Sequence, residues 1–494
     1  MSASTPFALM ANSSGLPWDE VPAWPAEDFV SAISEELDRQ ARLCSFFAMP
    51  DGAGTCRLVA VLAFDADNTL AVGRSQPFTG DFPSLTVKHA QAHLFEREIW
   101  EQHALMPRGH PWLKPVRKGR DGAPTNGDFF RVEGAEVHEV AVGPVHAGII
   151  EPGHFRFQCA GEEVLHLEIA LGYQHRGVEE ALVGGPHRAT RAQMEAVSGD
   201  ASIAHSTAYA TVLEALAGAE VPLRAQWLRA IALELERLAN HTGDIGALAG
   251  DVAFLPTSSA NGKIRGDFLN LTAMICGNRF GRGLAIPGGC RDDLEPERAA
   301  KLRDRLQASL ADVEQSGAWF WDSASVRGRF EGTGTVFPAQ AAEMGLVGPA
   351  ARACGIVRDV RYDHPAGWFR FAQLPVAVWP SGDVFARARV RSLEIQRSGA
   401  FLLEQLAAPT DGPISEQLPA LAPNTLAATL VEGWRGEVCH VAITGESGAF
   451  RRYKITDPSF HNWPGLALAL RGTSISDFPI CNKSFSLSYC GFDL

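Results

Sequence analysis

Four histidines, four carboxylates and two arginines in this 494-residue sequence have the chemistry to move protons: His146, His154, His175, His205, Glu151, Asp200, Asp251, Asp477, Arg176 and Arg435. An imidazole beside a carboxylate in a partly dry cleft has a shifted proton affinity and relays protons near neutral pH. A guanidinium stays charged and can stabilise an anionic intermediate or polarise a neighbouring redox centre. His146 and Glu151 lie on a stretch shaped by Gly143, Pro144, Pro152 and Gly153. Loops held by a rigid scaffold are where binding residues collect. Competing readings stand beside these. His205 and His241, inside apolar helical patterns, read more readily as core histidines with one hydrogen-bonding partner, and Arg176 and Arg435 read equally as salt bridges tying sheet to bundle.

The cysteines point away from metal chemistry. There are nine, at 44, 56, 159, 276, 290, 354, 439, 481 and 490, and the closest pair, Cys481 and Cys490, is nine residues apart. Zinc and iron–sulfur sites draw thiolates in local pairs, because a short turn brings two donors to one metal at little entropic cost. No metal is expected in this chain. Nine thiols spread thinly also make a poor disulfide framework, so reduced core thiols are expected.

Positioning such residues takes a large scaffold. At 494 residues the chain exceeds one ordinary hydrophobic core, and 46% hydrophobic with 20% charged residues is a globular composition. A net charge of −13 argues against nucleic acid and anionic lipid as partners. No run approaches the roughly 18 to 20 apolar residues of a membrane span, so contact with a membrane is expected only through partner subunits. Met1 to Val30 shows neither a cationic segment followed by an apolar run nor twin arginines, which makes the cytoplasm the expected compartment.

Residues 25 to 115 read as a small α/β unit, with helices over 26–43 and 89–103 and a strand at Cys56 to Phe64. The Gly-, Pro- and charge-rich stretch at 117–128 reads as a linker. Residues 135–169 alternate like a β-meander. Helical patterns follow at 189–218, 222–248, 259–277, 295–319 and 383–406, the last with Asp383 as an acidic N-cap. The final 65 residues read as short strands and turns. The fold class is α+β: residues 1–120 form a small α/β domain, and residues 121–494 combine the meander, a central bundle of long helices and a mixed C-terminal part.

Phe82-Pro83-Ser84-Leu85-Thr86, Phe95-Glu96-Arg97-Glu98 and Gly109-His110-Pro111 resemble the 30-kDa subunit of complex I, a docking domain without a redox centre of its own. Taken alone, the Glu96–Glu98 run reads as a solvated helix face. Gly143-Pro144-Val145-His146, Glu151-Pro152-Gly153-His154, Gly172-Tyr173-Gln174-His175-Arg176-Gly177 and Ala204-His205-Ser206 follow in order. After them come Glu234 to His241 with Asp244 and Asp251, Arg279-Phe280-Gly281-Arg282-Gly283, Gly382-Asp383, Arg435-Gly436-Glu437, Asp457-Pro458-Ser459-Phe460 and Ser476-Asp477. This ordered set resembles the 49-kDa subunit of complex I and the large subunits of group 4 nickel–iron hydrogenases of the hydrogenase-3 and hydrogenase-4 type.

The pattern breaks where that resemblance implies metal. The hydrogenases' two Cys-x-x-Cys pairs fall here on Ser198 and Ala201 and on Ser488 and Gly491, with Cys490 displaced between the last two. Soft thiolate donors are what such metals need. Complex I uses the same cleft for a quinone headgroup, but its tyrosine falls on Gly199 and the arginine beside its cluster on Ala196. His146 fits its first histidine and Asp251 its acidic residue. The resemblance implies a peripheral subunit on the cytoplasmic face of the inner (plasma) membrane, within an ion-translocating oxidoreductase. Its partners would be a small iron–sulfur subunit carrying a [4Fe-4S] cluster, a ferredoxin-like subunit and antiporter-like membrane subunits. His146, Glu151, His154, Asp251 and Arg435 are the expected catalytic groups. His175, Arg176, Ser198, Asp200, His205, Asp477 and Ser488 are the expected lining of a cleft for quinone or another acceptor. The alternative is a redox-silent coupling subunit; active hydrogenase is the least supported reading.

Overall fold

The computed structural model describes residues 6–52, 54–117, 129–145 and 151–494. His146 and residues 118–128 of the linker lie outside them.

The N-terminal unit is built on a sheet in the order Ala8–Met10, Thr69–Ser75, Cys56–Phe64, Arg42–Pro50, with Ala23–Trp24 added in parallel beside Thr69–Ser75. The helix Ala26–Asp38, entered from Pro25, buries Phe29, Val30, Ile33 and Leu37, a spacing of three to four that makes one apolar stripe. It ends earlier than the sequence pattern suggests, because Arg42 already begins a strand. The helix His93–His103 contradicts the solvated-face reading of its acidic run, since Glu96 and Glu98 are both buried. Glu96 accepts hydrogen bonds from the Ser84 and Thr86 hydroxyls and the Leu85 amide, so it folds the Phe82–Thr86 motif onto its own helix.

The expected meander is a three-stranded antiparallel sheet with His154–Ala160 between Val137–Val142 and Glu163–Ala170. Beyond it lie the long helices Leu223–Asp251, Leu255–Cys276, Pro296–Trp321 and Val384–Ala407. Asp383 caps the last of these, accepting from the Ala386 amide at 2.8 Å, a contact worth about 1 kcal/mol. A buried ion-pair network ties two of these helices to each other and to their surroundings: Arg237 pairs with Glu394 across helices and with Glu234 within its own, Arg352 with Glu394 and with Glu432 of a later strand, and Arg361 with Glu234.

Two sequence readings need correcting. The pattern over 189–218 is broken into helices Thr190–Met194 and Ser202–Ala217, because residues 195–201 turn away as a loop. The last 65 residues also carry helices, Pro458–Ala469, Phe478–Phe485 and Tyr489–Asp493. The first starts where Asp457 accepts the Ser459 amide and Pro458 supplies a φ preset for a helix.

A third sheet runs Phe450–Thr456, Gly436–Thr444, Thr425–Gly433, and its outer strand is Ser14–Pro17 from the far end of the chain. Phe47, Met49, Val59 and Val61 of the first sheet share one apolar layer with Leu426, Leu430, Val441 and Ile443 of this one. The N-terminal unit is thus packed on the C-terminal sheet and supplies its edge strand.

Candidate functional site

The break in the 189–218 pattern makes the site. Its loop carries Ser198 and Asp200 and meets the C-terminal tail, where Ser488 caps the last helical turn by accepting the Gly491 amide at 2.9 Å. Ser198 Oγ lies 3.0 Å from Ser488 Oγ and 3.1 Å from Asp200 Oδ1. Arg435 closes the group, with Nη1 and Nη2 on the two Asp200 oxygens at 2.5 and 2.8 Å, Nη1 also 3.2 Å from Ser198 Oγ, and Nε on the Ser486 carbonyl. Its guanidinium lies over the Trp434 ring at 3.9 Å. Cys490 Sγ stands 3.4 Å from Ser488 Oγ.

Burial works against the Asp200 charge, but Arg435 outweighs it and holds the carboxyl below its usual range. Glu151, on the loop opposite, goes the other way. Desolvation and then the charge of Asp200 raise it, against Arg435 and the amides of Cys490 and Tyr489. One carboxyl kept ionised and another pushed toward protonation within one cluster is an arrangement suited to proton exchange. Burial, with Glu151, also raises the Cys490 thiol, so it stays protonated at neutral pH.

The remaining expected residues divide. Arg176 binds the Ala196 and Val197 carbonyls of the loop and the Cys490 carbonyl of the tail, and His175 Nδ1 meets the Asp493 carbonyl at 2.8 Å. Asp493 in turn accepts the Gly172 and Gln174 amides. The Gly172–Gly177 motif is therefore the clasp that seats the tail against the loop. His154 is buried with Nδ1 on the Gly143 carbonyl at 3.1 Å. Asp251 ends the long helix at the surface, where partial desolvation raises its carboxyl against the charge of Lys483. Asp477 lies outside the cluster and pairs with Arg329, 51% exposed, at the surface. His205 is fully buried and bonds Asp457 and His440.

Asp457, His440 and Trp434 were not singled out as site residues. Asp457 stood in a recognised motif and reads as a helix cap, which it is, but its second partner is 252 positions away. Glu236 was also missed. It accepts the Ile203 and Ala204 amides at the start of the Ser202–Ala217 helix, and burial pushes its carboxyl up to about 8.

The donor set does not fit a nickel–iron pair. Hydroxyls stand at 198 and 488, the single thiol is displaced, and a Cβ at Gly491 would meet Asp457 Oδ2 at 2.6 Å and Cγ at 2.7 Å. A carboxylate fills the space that a side chain at 491 would need. Among the described residues no three His, Cys, Asp or Glu side chains are grouped to hold a metal ion, and no helix is long and apolar enough to cross a membrane.

A sheet-flanked bundle of long helices whose inner loop and buried tail meet at one cluster defines the architecture of a hydrogenase or respiratory-dehydrogenase large subunit. Residues 251–425 match the family model described as the 49-kDa subunit of respiratory-chain NADH dehydrogenase. The chain is 30% identical to formate hydrogenlyase subunit 5 of Escherichia coli over 435 residues, covering 83% of this chain and 76% of that protein. To hydrogenase-4 component G of the same organism it is 28% identical over 464 residues, or 89% and 78% of the two chains. A solved chain from the membrane-bound sulfane sulfur reductase, an archaeal respiratory membrane complex, shares the fold. Its TM-score is 0.68 at 24% identity, over 73% of this chain and 99% of that one. The chain belongs to the family that joins the complex I 49-kDa subunit to the large subunits of membrane-bound hydrogenases.

Proposed function

We propose that this chain is the peripheral-arm subunit of a membrane-bound, ion-translocating oxidoreductase. With a small iron–sulfur subunit it forms a metal-free cleft, which takes electrons from that subunit's [4Fe-4S] cluster and offers them to a quinone or another small acceptor. The observation that carries this is the contact of Ser198 with Ser488 at 3.0 Å, closed over by Arg435 and Asp200, at the two positions where relatives of the hydrogenase type carry thiolates. Hydroxyls, a guanidinium and two carboxyls bind and protonate an acceptor; they do not supply electrons, so the donor must lie in the partner subunit. In this reading Glu151 gives a proton at the cleft wall, Arg435 steadies negative charge on the acceptor, and His175 and Arg176 hold the tail that forms the floor. His146, His154 and Asp251 complete the proton path, and the complex sits on the cytoplasmic face with ferredoxin-like and antiporter-like partners. Reconstitution of the purified complex tests it: quinone reduction with a headgroup bound in the cleft supports the reading, and neither appearing refutes the quinone version.

The closed Asp200–Arg435 pair favours a second reading, a redox-silent coupling subunit, because the strongest cation of the cluster is already neutralised. That reading requires the combined variant His146→Ala, Glu151→Gln, Asp251→Asn to leave turnover of the assembled complex intact.

A further inference from the structure

Behind the cleft lies a row of four buried side chains that the proposed chemistry has not used. Asp457 Oδ2 is 3.0 Å from His205 Nε2, His205 Nδ1 is 3.0 Å from His440 Nε2, and His440 Nδ1 is 2.9 Å from the Tyr453 hydroxyl. All four are at most 1% exposed. The near end reaches the cluster, since Asp457 Oδ2 stands against Gly491 in the turn that Ser488 caps.

The hydrogens of this row can be assigned. A carboxylate accepts only, and Tyr453 Oη is the one hydroxyl, so an ionised Asp457 takes the Nε2 hydrogen of His205. His205 Nδ1 then takes the Nε2 hydrogen of His440, and His440 Nδ1 takes the tyrosine hydrogen. Every bond is made with both imidazoles neutral and carrying hydrogen on Nε2. A second arrangement satisfies the same three bonds. If one proton is delivered to the Tyr453 oxygen, each hydrogen moves one bond toward the cleft, Asp457 becomes a carboxylic acid, and both imidazoles carry hydrogen on Nδ1. One proton has been added and the charge of the row has gone from −1 to 0, with no bond broken.

We propose that Tyr453, His440, His205 and Asp457 are a relay that carries a proton from the interior side of the C-terminal sheet to the wall of the cleft. The inference rests on the cleft's chemistry consuming protons, which is the reading above. The charged and titratable groups around the row fit. Arg435 and the Ser459 amide stand by Asp457; Tyr209, its ring 6.4 Å from Tyr453, and Cys439 stand at the far end, and Arg191, exposed, lies beyond Tyr209. Burial holds the His440 imidazole well below its usual range, which keeps that ring neutral. His205, His440 and Tyr453 act through Asp457 and are positioning residues.

The test is 15N NMR of the full-length chain labelled on histidine, with His205 and His440 assigned by substitution. At pH 7.5 both rings should carry hydrogen on Nε2. In Asp457→Asn the side-chain oxygen stays on the Ser459 amide, which leaves the side-chain NH2 as a donor facing His205, so both rings, including His440, which never touches residue 457, should switch to Nδ1. His440 keeping Nε2–H in that variant overturns the relay. Should the variant fail to fold, acid titration of the unaltered chain decides. The two rings switching together without an imidazolium signal supports the relay, and either ring titrating alone refutes it. No acceptor or partner subunit is needed, so the result is independent of whether the complex reduces quinone.

Discussion

Replacing Gly491 by alanine adds one methyl group at the junction of tail, cap and relay. The new Cβ would stand 2.6 Å from Asp457 Oδ2, 2.7 Å from Asp457 Cγ and 2.9 Å from Ser488 Oγ. Unstrained carbon contacts begin near 3.5 Å, so one of the two groups must retreat by roughly half an ångström or more. Neither moves freely, because Asp457 is tied to His205 at 3.0 Å and to the Ser459 amide at 2.8 Å, while Ser488 caps the terminal turn. Overpacking of this kind costs about 1 to 3 kcal/mol, and losing the charge-assisted bond to His205 adds about 1.5 to 3 kcal/mol. The expected destabilisation is therefore about 2.5 to 6 kcal/mol, read from the shift in denaturant midpoint of the transition that reports the C-terminal tail. Gly199→Ala is the control. Nothing lies within 4 Å of its added methyl, so it should stay within about 0.5 kcal/mol of the parent. In an Asp457→Ala background the cost of Gly491→Ala should shrink, with a coupling of about 0.5 to 3 kcal/mol. Equal midpoints for Gly491→Ala and Gly199→Ala would refute the claim that a carboxylate occupies this space.

Glu394→Gln should lower stability by about 3 to 5 kcal/mol, since it leaves Arg352 and Arg237 buried with too little negative charge; denaturant titration at pH 7 checks it. Burial opposes the Glu394 charge, but Arg352 and His241 outweigh it and hold the carboxyl well below its usual range. A carboxyl lowered on folding contributes stability above its unfolded value of about 4.3, and that contribution is lost as pH falls toward the folded value. The gap between parent and Glu394→Gln should accordingly narrow on acidification below about pH 4. Glu236 has the opposite sign, with burial pushing it up to about 8. Between about pH 4.3 and 8 the unfolded chain ionises this group while the folded chain does not, so stability falls as pH rises. Glu236→Gln should thus gain on the parent at pH 8 relative to pH 5 in paired midpoint measurements.

Local signals were readable where a residue's partner is near in sequence. Asp383 before an amphipathic run gave a capped helix because the contact is three residues long. Taken alone, the Glu96 run reads as a solvated face, because its partners Ser84 and Thr86 come from a preceding loop, not from its own helix. The break at 195–201 was illegible for a similar reason. Ser198-Gly199-Asp200 are poor helix formers, a local hint the flanking apolar pattern masks, and what fixes the turn is tertiary: Arg176 on the Ala196 and Val197 carbonyls, and Arg435 on Asp200. In the site, the ordered motifs marked Ser198, Asp200, Arg435 and Ser488, which the fold brings together. They did not separate the residues that line the cluster from His175 and Arg176, which clasp the tail, or from Asp477, which faces Arg329. Nor does periodicity carry any trace of the His205–His440 contact, which joins positions 235 apart.

The stitching of Ser14–Pro17 into the last sheet bears on how a ribosome-bound chain reaches this state. Asn12, just ahead of that strand, bonds the Leu430 carbonyl 418 positions later. At about 5 to 20 residues added per second, the leading strand waits on the order of 20 to 80 seconds before its neighbour exists. Through that interval its hydrogen-bonding edge and the apolar face of the first sheet are open to wrong partners, so newly made chains have a long period in which a holding chaperone can act.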